Sequence, residues 1–213
     1  MPRSKEGLAR LVQREGVDPR IVAAFHTVDR AAFVPEGEAR KAYNDKPVAI
    51  PERQTTSQPS LIARMIDALE LGPDDVVLEI GTGYGFQTAL LAKIARRVIS
   101  IERHPALAER ARANLEAVGI ANASVLVGDG WDGVPEHAPY EGIVVSAAAE
   151  EIPDSLHDQL VEGGRLVIPL RAGQGDAVLL LTRSGKELIR QALLTPACFV
   201  PLVRGDGRDE VTD

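Results

Sequence analysis

The sequence predicts an α/β fold: a mostly parallel sheet with helices on both faces, finished by antiparallel C-terminal strands. Three observations carry that expectation. The run 76–80 is short, continuous and apolar, breaks into Gly81-Thr82-Gly83-Tyr84-Gly85, and then feeds an Ala/Leu-rich segment. A parallel strand covered on both faces looks like this before its crossover helix. Further apolar runs at 98–102, 124–127 and 140–149 alternate with helical patterns, which is the rhythm of βαβ units. After residue 177, strand-like runs are separated only by short turns, as antiparallel hairpins are.

Taken in order, Leu8, Leu11 and Val12 give a short helical stripe broken at Gly16. Asp18-Pro19 offers a cap followed by proline at the first helical position, and Ile21, Val22, Phe25 and Val28 recur at helical spacing. Residues 42–58, with Pro47 and Pro51 and no sustained period, read as loop. Leu61, Ile62, Met65, Ile66 and Leu69 form a helical face that stops at Gly72-Pro73. The polar residues just before it, 54–58, can cap that helix or hold an anion at its N-terminus. Crossover helices are expected over 88–95 and 105–118, and a shorter one over 153–160. Gly163-Gly164 reads as a turn before a fifth strand at 165–170. Strands follow at 177–183, 188–194 and 199–203, parted by Ser184-Gly185 and Thr195-Pro196. Residues 204–213 are charged, lack apolar anchors and are expected to fray.

A length of 213 residues suits one domain, 1–213, with an N-terminal subregion at 1–58, a core at 59–203 and a tail at 204–213. The net charge of −7, with acids and bases interspersed, leaves no basic footprint for nucleic acid or anionic lipid. No stretch reaches the length of a membrane span, and the first residues lack a signal-peptide core. Cys198 is the single cysteine, so no intrachain disulfide forms and a cytoplasmic address is expected. His26, His104, His137 and His157 show no metal-ligand spacing, and no metal site is expected.

The chemistry gathers at strand ends. Glycines at 81, 83 and 85 let the backbone turn sharply and approach a ligand, while the next helix presents free N–H groups to a polar or charged cofactor. The spacing is G-x-G-x-G, and Phe86 stands where a dinucleotide fingerprint has its third glycine, which argues against a dehydrogenase. Glu102, closing the second strand about twenty residues on, suits a ribose diol. Asp129, in Gly128-Asp129-Gly130 after the third strand, suits an adenine amino group. Small residues at 146–149 leave room above the fourth strand.

Together these motifs resemble the protein-L-isoaspartate O-methyltransferase family over about residues 17–202. The resemblance rests on Gln54-Thr55-Thr56-Ser57-Gln58-Pro59, similar to the family's Q-T-I-S-Q-P, on 78–87, like L-E-I-G-T-G-S-G-Y-Q, and on Ser100-Ile101-Glu102-Arg103. Gly128-Asp129-Gly130, Ala138-Pro139-Tyr140, 163–169 and Phe199-Val200-Pro201-Leu202 complete it. It implies a Rossmann-like methyltransferase sheet that uses S-adenosyl-L-methionine and leaves S-adenosyl-L-homocysteine. It implies methyl transfer to the free carboxylate of L-isoaspartyl residues in damaged proteins or peptides, initiating repair through a succinimide.

On that resemblance Ser57 is the active-site serine. Glu79, Gly81, Thr82, Gly83, Gly85, Gln87, Glu102, Arg103, Gly128, Asp129 and Gly130 hold the cofactor. Arg53, Gln54, Thr55, Thr56, Ser57, Val200, Pro201 and Leu202 meet the substrate, and a monomer is expected. The chain departs from the family at Pro51-Glu52-Arg53, where a G-H-G-Q pattern is usual, at Thr56 in place of isoleucine, and at Ala149-Glu150-Glu151 in place of A-A-P. The first departure motivates an alternative acceptor, an aspartyl residue of a dedicated peptide or a small-molecule acid. A cofactor sensor without transferase activity is the non-enzymatic alternative.

Overall fold

The computed structural model describes residues 4–173 and 175–205. The chain opens with α1 (Lys5–Gln13) and α2 (Pro19–Thr27), folds β1 (Val48–Ile50) against β2 (Gln54–Thr56), and enters α3 (Pro59–Ala68). It continues through β3 (Val76–Ile80), α4 (Phe86–Ala92), β4 (Arg97–Glu102), α5 (Pro105–Ala117), β5 (Ala123–Val127) and β6 (Tyr140–Val145). Then come α6 (Asp154–Asp158), β7 (Leu160–Ala172), β8 (Gly175–Ser184) and β9 (Glu187–Ala197). Seven strands make one sheet in the order β5-β4-β3-β6-β7-β8-β9. Its first five are parallel, and β8 and β9 are antiparallel additions, a Rossmann-like arrangement as expected.

Strand alternation separates two apolar layers. Val77, Val98, Val144 and Val167 face the side covered by α1 through α5. Leu78, Ile99, Ile143 and Leu166 face the other, under Tyr140 and Leu156. Each buried Leu or Ile contributes roughly 1.5–3 kcal/mol, so a one-residue slip of β3, which exchanges the two sets, is strongly disfavoured. The correct register sets Glu79 beside Ser100. The N-terminal helices share the larger layer: Leu8, Val12, Ile21 and Phe25 pack with Met65 and Leu90.

The structure corrects several expectations. Residues 42–58 hold the β1–β2 hairpin, whose ladder runs from Val48↔Thr56 to Ile50↔Gln54, with Pro47 and Pro51 just outside the first strand. Gly163 and Gly164 lie within β7 and make no turn. There the ladder to β6 jumps from Tyr140↔Leu160 to Gly142↔Arg165, and a Cβ on Gly164 would come 2.9 Å from the Val161 carbonyl oxygen, so glycine serves close backbone approach. Pro196 sits inside β9, paired with Ala177, which an edge strand tolerates.

Residues 199–203 form no ladder strand; they cross the end of the sheet as a strap, meeting it at a single bridge, Ala148↔Pro201. The strap is pinned by Phe199 N–H to Asp176 Oδ2 (2.6 Å), Ala148 N–H to the Val200 carbonyl (2.8 Å) and Leu202 N–H to the Ala148 carbonyl (2.8 Å). The tail expectation also changes at its start. Arg204 lies over the Trp131 ring, 5.7 Å from its centroid, and Gly205 N–H donates to Asp129 Oδ2 at 2.5 Å. Residues 206–213 lie outside the described residues.

Candidate active site

The chain leaves β3 for β4 and β5 on one side and returns to β6 on the other. Such a reversal opens a crevice at the carboxyl ends of the strands. A cavity of about 340 Å³ lies there. One wall is built by strand tips: Ile80 to Gly83 after β3, Ile101 to His104 after β4, Gly130 beyond β5, and Ser146 and Ala147 beyond β6. The hairpin and turn at 52–57 and the strap at 200–203 complete the lining.

Two glycines shape the strand-tip wall. Gly81 has φ +92°, a left-handed conformation that turns the chain out of β3. Gly130 has no room for a side chain, because a Cβ would stand 2.3 Å from Ile80 Cγ2.

Beneath the glycine loop lies a closed polar network. The Glu79 carboxylate is fully buried and accepts from Ser100 Oγ (2.6 Å), Gln87 Nε2 (3.1 Å) and the Thr88 hydroxyl. Gln87 also donates to Ser146 Oγ at 3.0 Å, and Ser100 shares a 2.5 Å hydrogen bond with Thr82 Oγ1. Burial pushes the Glu79 carboxyl up to about 7, against the opposing pull of its three donors. Glu79 thus fixes three cavity residues, Thr82, Gln87 and Ser146, from below. Glu102 is held differently: Gly83 N–H donates to Oε2 (2.8 Å) and His104 N–H to Oε1 (3.1 Å), so the plane of the carboxylate is set at the cavity edge.

Ser57 stands between β2 and α3 and lines the cavity. Its carbonyl accepts from Arg30 (3.0 Å), and no partner among the described residues takes its hydroxyl. The turn at 52–53 is left-handed, with φ +59° at Glu52 and +55° at Arg53. The N-terminus of α3 is closed by a residue from the preceding loop: Asp45 accepts from Ser60 N–H (2.9 Å), Ser60 Oγ (2.8 Å) and Gln58 Nε2 (3.0 Å). The expected capping by 54–58 is therefore supplied by Asp45.

The family model "Protein-L-isoaspartate(D-aspartate) O-methyltransferase (PCMT)" matches residues 3–207. The chain belongs to this methyltransferase family. Among its relatives, the protein-L-isoaspartate O-methyltransferase of Methanoculleus marisnigri is 48% identical over 187 residues, covering 87% of this chain and 84% of that one. That of Methylorubrum populi is 47% identical over 198 residues, with 93% of both chains covered. A solved protein-L-isoaspartate O-methyltransferase superposes with TM-score 0.84 at 29% identity, covering 95% of this chain and 66% of the longer one. A Plasmodium falciparum structure in complex with S-adenosyl-L-homocysteine, 24% identical, shares the fold at TM-score 0.81 over 96% of this chain and all of its own (100%).

Within this methyltransferase-family chain, the residues singled out in the sequence divide by position. Gly81, Thr82, Gly83, Gln87, Glu102, Arg103 and Gly130 line the cavity, as do Arg53 through Ser57 and Val200 through Leu202. Glu79, Gly85, Gly128 and Asp129 do not. Glu79 is sealed beneath, Gly85 backs onto Ala111 and Leu115 of α5, and Gly128 packs on Ile101. Both Asp129 oxygens are engaged, Oδ1 by Trp131 N–H at 2.8 Å and Oδ2 by Gly205. The hydrogen-bonding role of Ser146 and the place of Arg30 escaped the sequence reading. The sequence marks Ser146 only as one of the small residues at 146–149; β6 ends at Val145, which puts its hydroxyl at the strand end, whereas nothing in the pattern at 28–33 singles out Arg30.

Proposed function

We infer that this chain transfers a methyl group from S-adenosyl-L-methionine to the free α-carboxylate of L-isoaspartyl residues in proteins and peptides. The observation that carries the reading is one continuous cavity lined by both the Ser57 turn and the glycine loop with Glu102. The strand-tip wall fits the cofactor. A carboxylate has about four acceptor sites and backbone N–H groups use two of Glu102's, leaving the rest for a ribose diol. The side-chain-free surface at Gly130 suits a flat base, and Thr82, Gln87 and Ser146 offer polar groups along the loop.

The cofactor supplies an electrophilic methyl on a sulfonium. What remains for the protein is placement. An α-carboxylate with a pKa of about 3.5 is ionised at neutral pH, so no residue has to remove a proton. Ser57 and the strap positions 200–202 hold the acceptor, and rate comes from proximity and from displacement of water from the filled cavity. The resulting ester closes to a succinimide when the following backbone nitrogen displaces methanol, a step needing no further group from this chain.

The same reading takes the chain to act as a monomer, and without nucleic acid given its net charge of −7. The single cysteine accords with a reducing cytoplasm. No helix among the described residues is long and apolar enough to cross a membrane.

A methanol-release assay on an isoaspartyl peptide and its normal aspartyl twin tests the reaction. Release from the isoaspartyl form alone is expected. Equal rates, or turnover confined to some other acid, would reject it. Ser57→Ala should lower kcat/KM roughly 10- to 100-fold, the value of one lost positioning hydrogen bond, while calorimetry finds S-adenosyl-L-homocysteine binding nearly unchanged.

A further inference from the structure

Arg30 has no part in the reaction as described, yet it is the bulkiest of the fully buried side chains among the described residues, at 1% exposure. Its guanidinium donates to the carbonyls of Ala42 (3.1 Å), Asn44 (3.0 Å), Lys46 (3.1 Å) and Ser57 (3.0 Å), and to Thr56 Oγ1 (2.7 Å). Every one of these acceptors is uncharged. Among the described residues no carboxylate lies within ion-pair distance of it, and Asp45 acts only from farther off while bonded to Ser60 and Gln58. Burial lowers the guanidinium pKa to about 10, which leaves it a cation at neutral pH. A desolvated cation with neutral partners is costly, and its field is weakly screened.

The location gives that charge a use. The guanidinium carbon lies 5.7 Å from the centroid of the Phe86 ring. Phe86, Thr56 and Ser57 all line the cavity, so Arg30 stands directly behind the wall on which Ser57 sits. Thr56 couples the charge to the turn: its hydroxyl is the closest acceptor of the buried guanidinium.

We propose that Arg30 is a positioning residue for the acceptor: it fixes the Thr56-Ser57 backbone, and its buried charge makes the Ser57 side of the cavity select an anionic group over a neutral one. This rests on the acceptor carboxylate lying at Ser57.

The test uses the intact chain and four variants: Arg30→Met, Arg30→Lys, Thr56→Val and Ser57→Ala. Three readouts are taken: steady-state kinetics on an isoaspartyl peptide, the ratio of inhibition constants for a non-reactive isoaspartyl analogue and its α-carboxamide, and calorimetric S-adenosyl-L-homocysteine affinity. Arg30→Met should raise the peptide KM about tenfold and narrow the acid-over-amide preference by a similar factor. Cofactor-product affinity should change by less than about twofold. Arg30→Lys, which keeps the charge with fewer donors, should retain the preference and lose turnover. Thr56→Val should raise the peptide KM about tenfold, the value of one hydrogen bond from a charged donor, with the preference intact.

An unchanged acid-over-amide preference in Arg30→Met overturns the charge role, and an unchanged peptide KM in Thr56→Val overturns the loop role even where Arg30→Met does not fold. Unaltered kinetics in Ser57→Ala overturn the acceptor reading itself, separately from Arg30.

Discussion

Glu79 shows how far a side chain's position can depart from its motif. Its place before the glycines marks it as a cofactor residue in the sequence, but the strand register turns it inward, where it organises Thr82, Gln87 and Ser146. Alternation along β3 carries that information only once the covered faces are known. A carboxyl pushed from 4.5 to about 7 binds its proton more tightly in the folded chain. Its stabilising contribution is therefore complete below the unfolded value near 4.5 and is lost as pH rises through about 7. Between about pH 5 and pH 8 the native chain should lose roughly 1–3 kcal/mol of stability relative to Glu79→Gln, read as diverging melting temperatures. Gly130 offers a second test. A methyl there meets Ile80 Cγ2 at 2.3 Å, so Gly130→Ala should destabilise by roughly 1–3 kcal/mol and weaken S-adenosyl-L-homocysteine binding in calorimetry.

Among the elements, the β1–β2 hairpin is the one the sequence hid. Strands of three residues bordered by Pro47 and Pro51 are too short to show alternation, and their pairing depends on the buried Arg30, which ties Lys46 to Thr56. Arg53 keeps the left-handed conformation that a glycine would adopt freely, with φ +55°. Relieving it by Arg53→Gly should raise the denaturant midpoint at constant slope, by roughly 1 kcal/mol. The same substitution removes a positive charge from the cavity lining, so a rise in the isoaspartyl-peptide KM accompanied by greater stability would separate its two roles. The longer elements were legible for the opposite reason. The helical stripes of α2, α3 and α5 and the apolar runs of β3, β4 and β6 each bury a continuous face, which is what periodicity records.

For the molecule as a whole, a mostly parallel sheet with antiparallel C-terminal strands followed from the alternating strands and helices, but the route of residues 199–205 did not. They look like one more strand, and local pattern does not encode that β9 already forms the sheet edge while they run along the strand ends and line the cavity. Arg204 on Trp131 and Gly205 on Asp129 hold that path down at the β5 side. Trp131 is the only tryptophan, so the arrangement has a built-in reporter. Arg204→Ala should alter its emission and weaken S-adenosyl-L-homocysteine binding roughly threefold, the value of a partly exposed cation–π contact; unchanged emission would show that Arg204 does not cover the ring.

The path of the strap also has a consequence for biosynthesis. A ribosome delivers the strand tips and the Ser57 turn well before Val200 to Val203, so the cavity of a nascent chain lacks that part of its lining until these residues emerge. Premature termination within β9 would yield a fragment able to build most of the sheet but unable to shelter a reactive sulfonium from water.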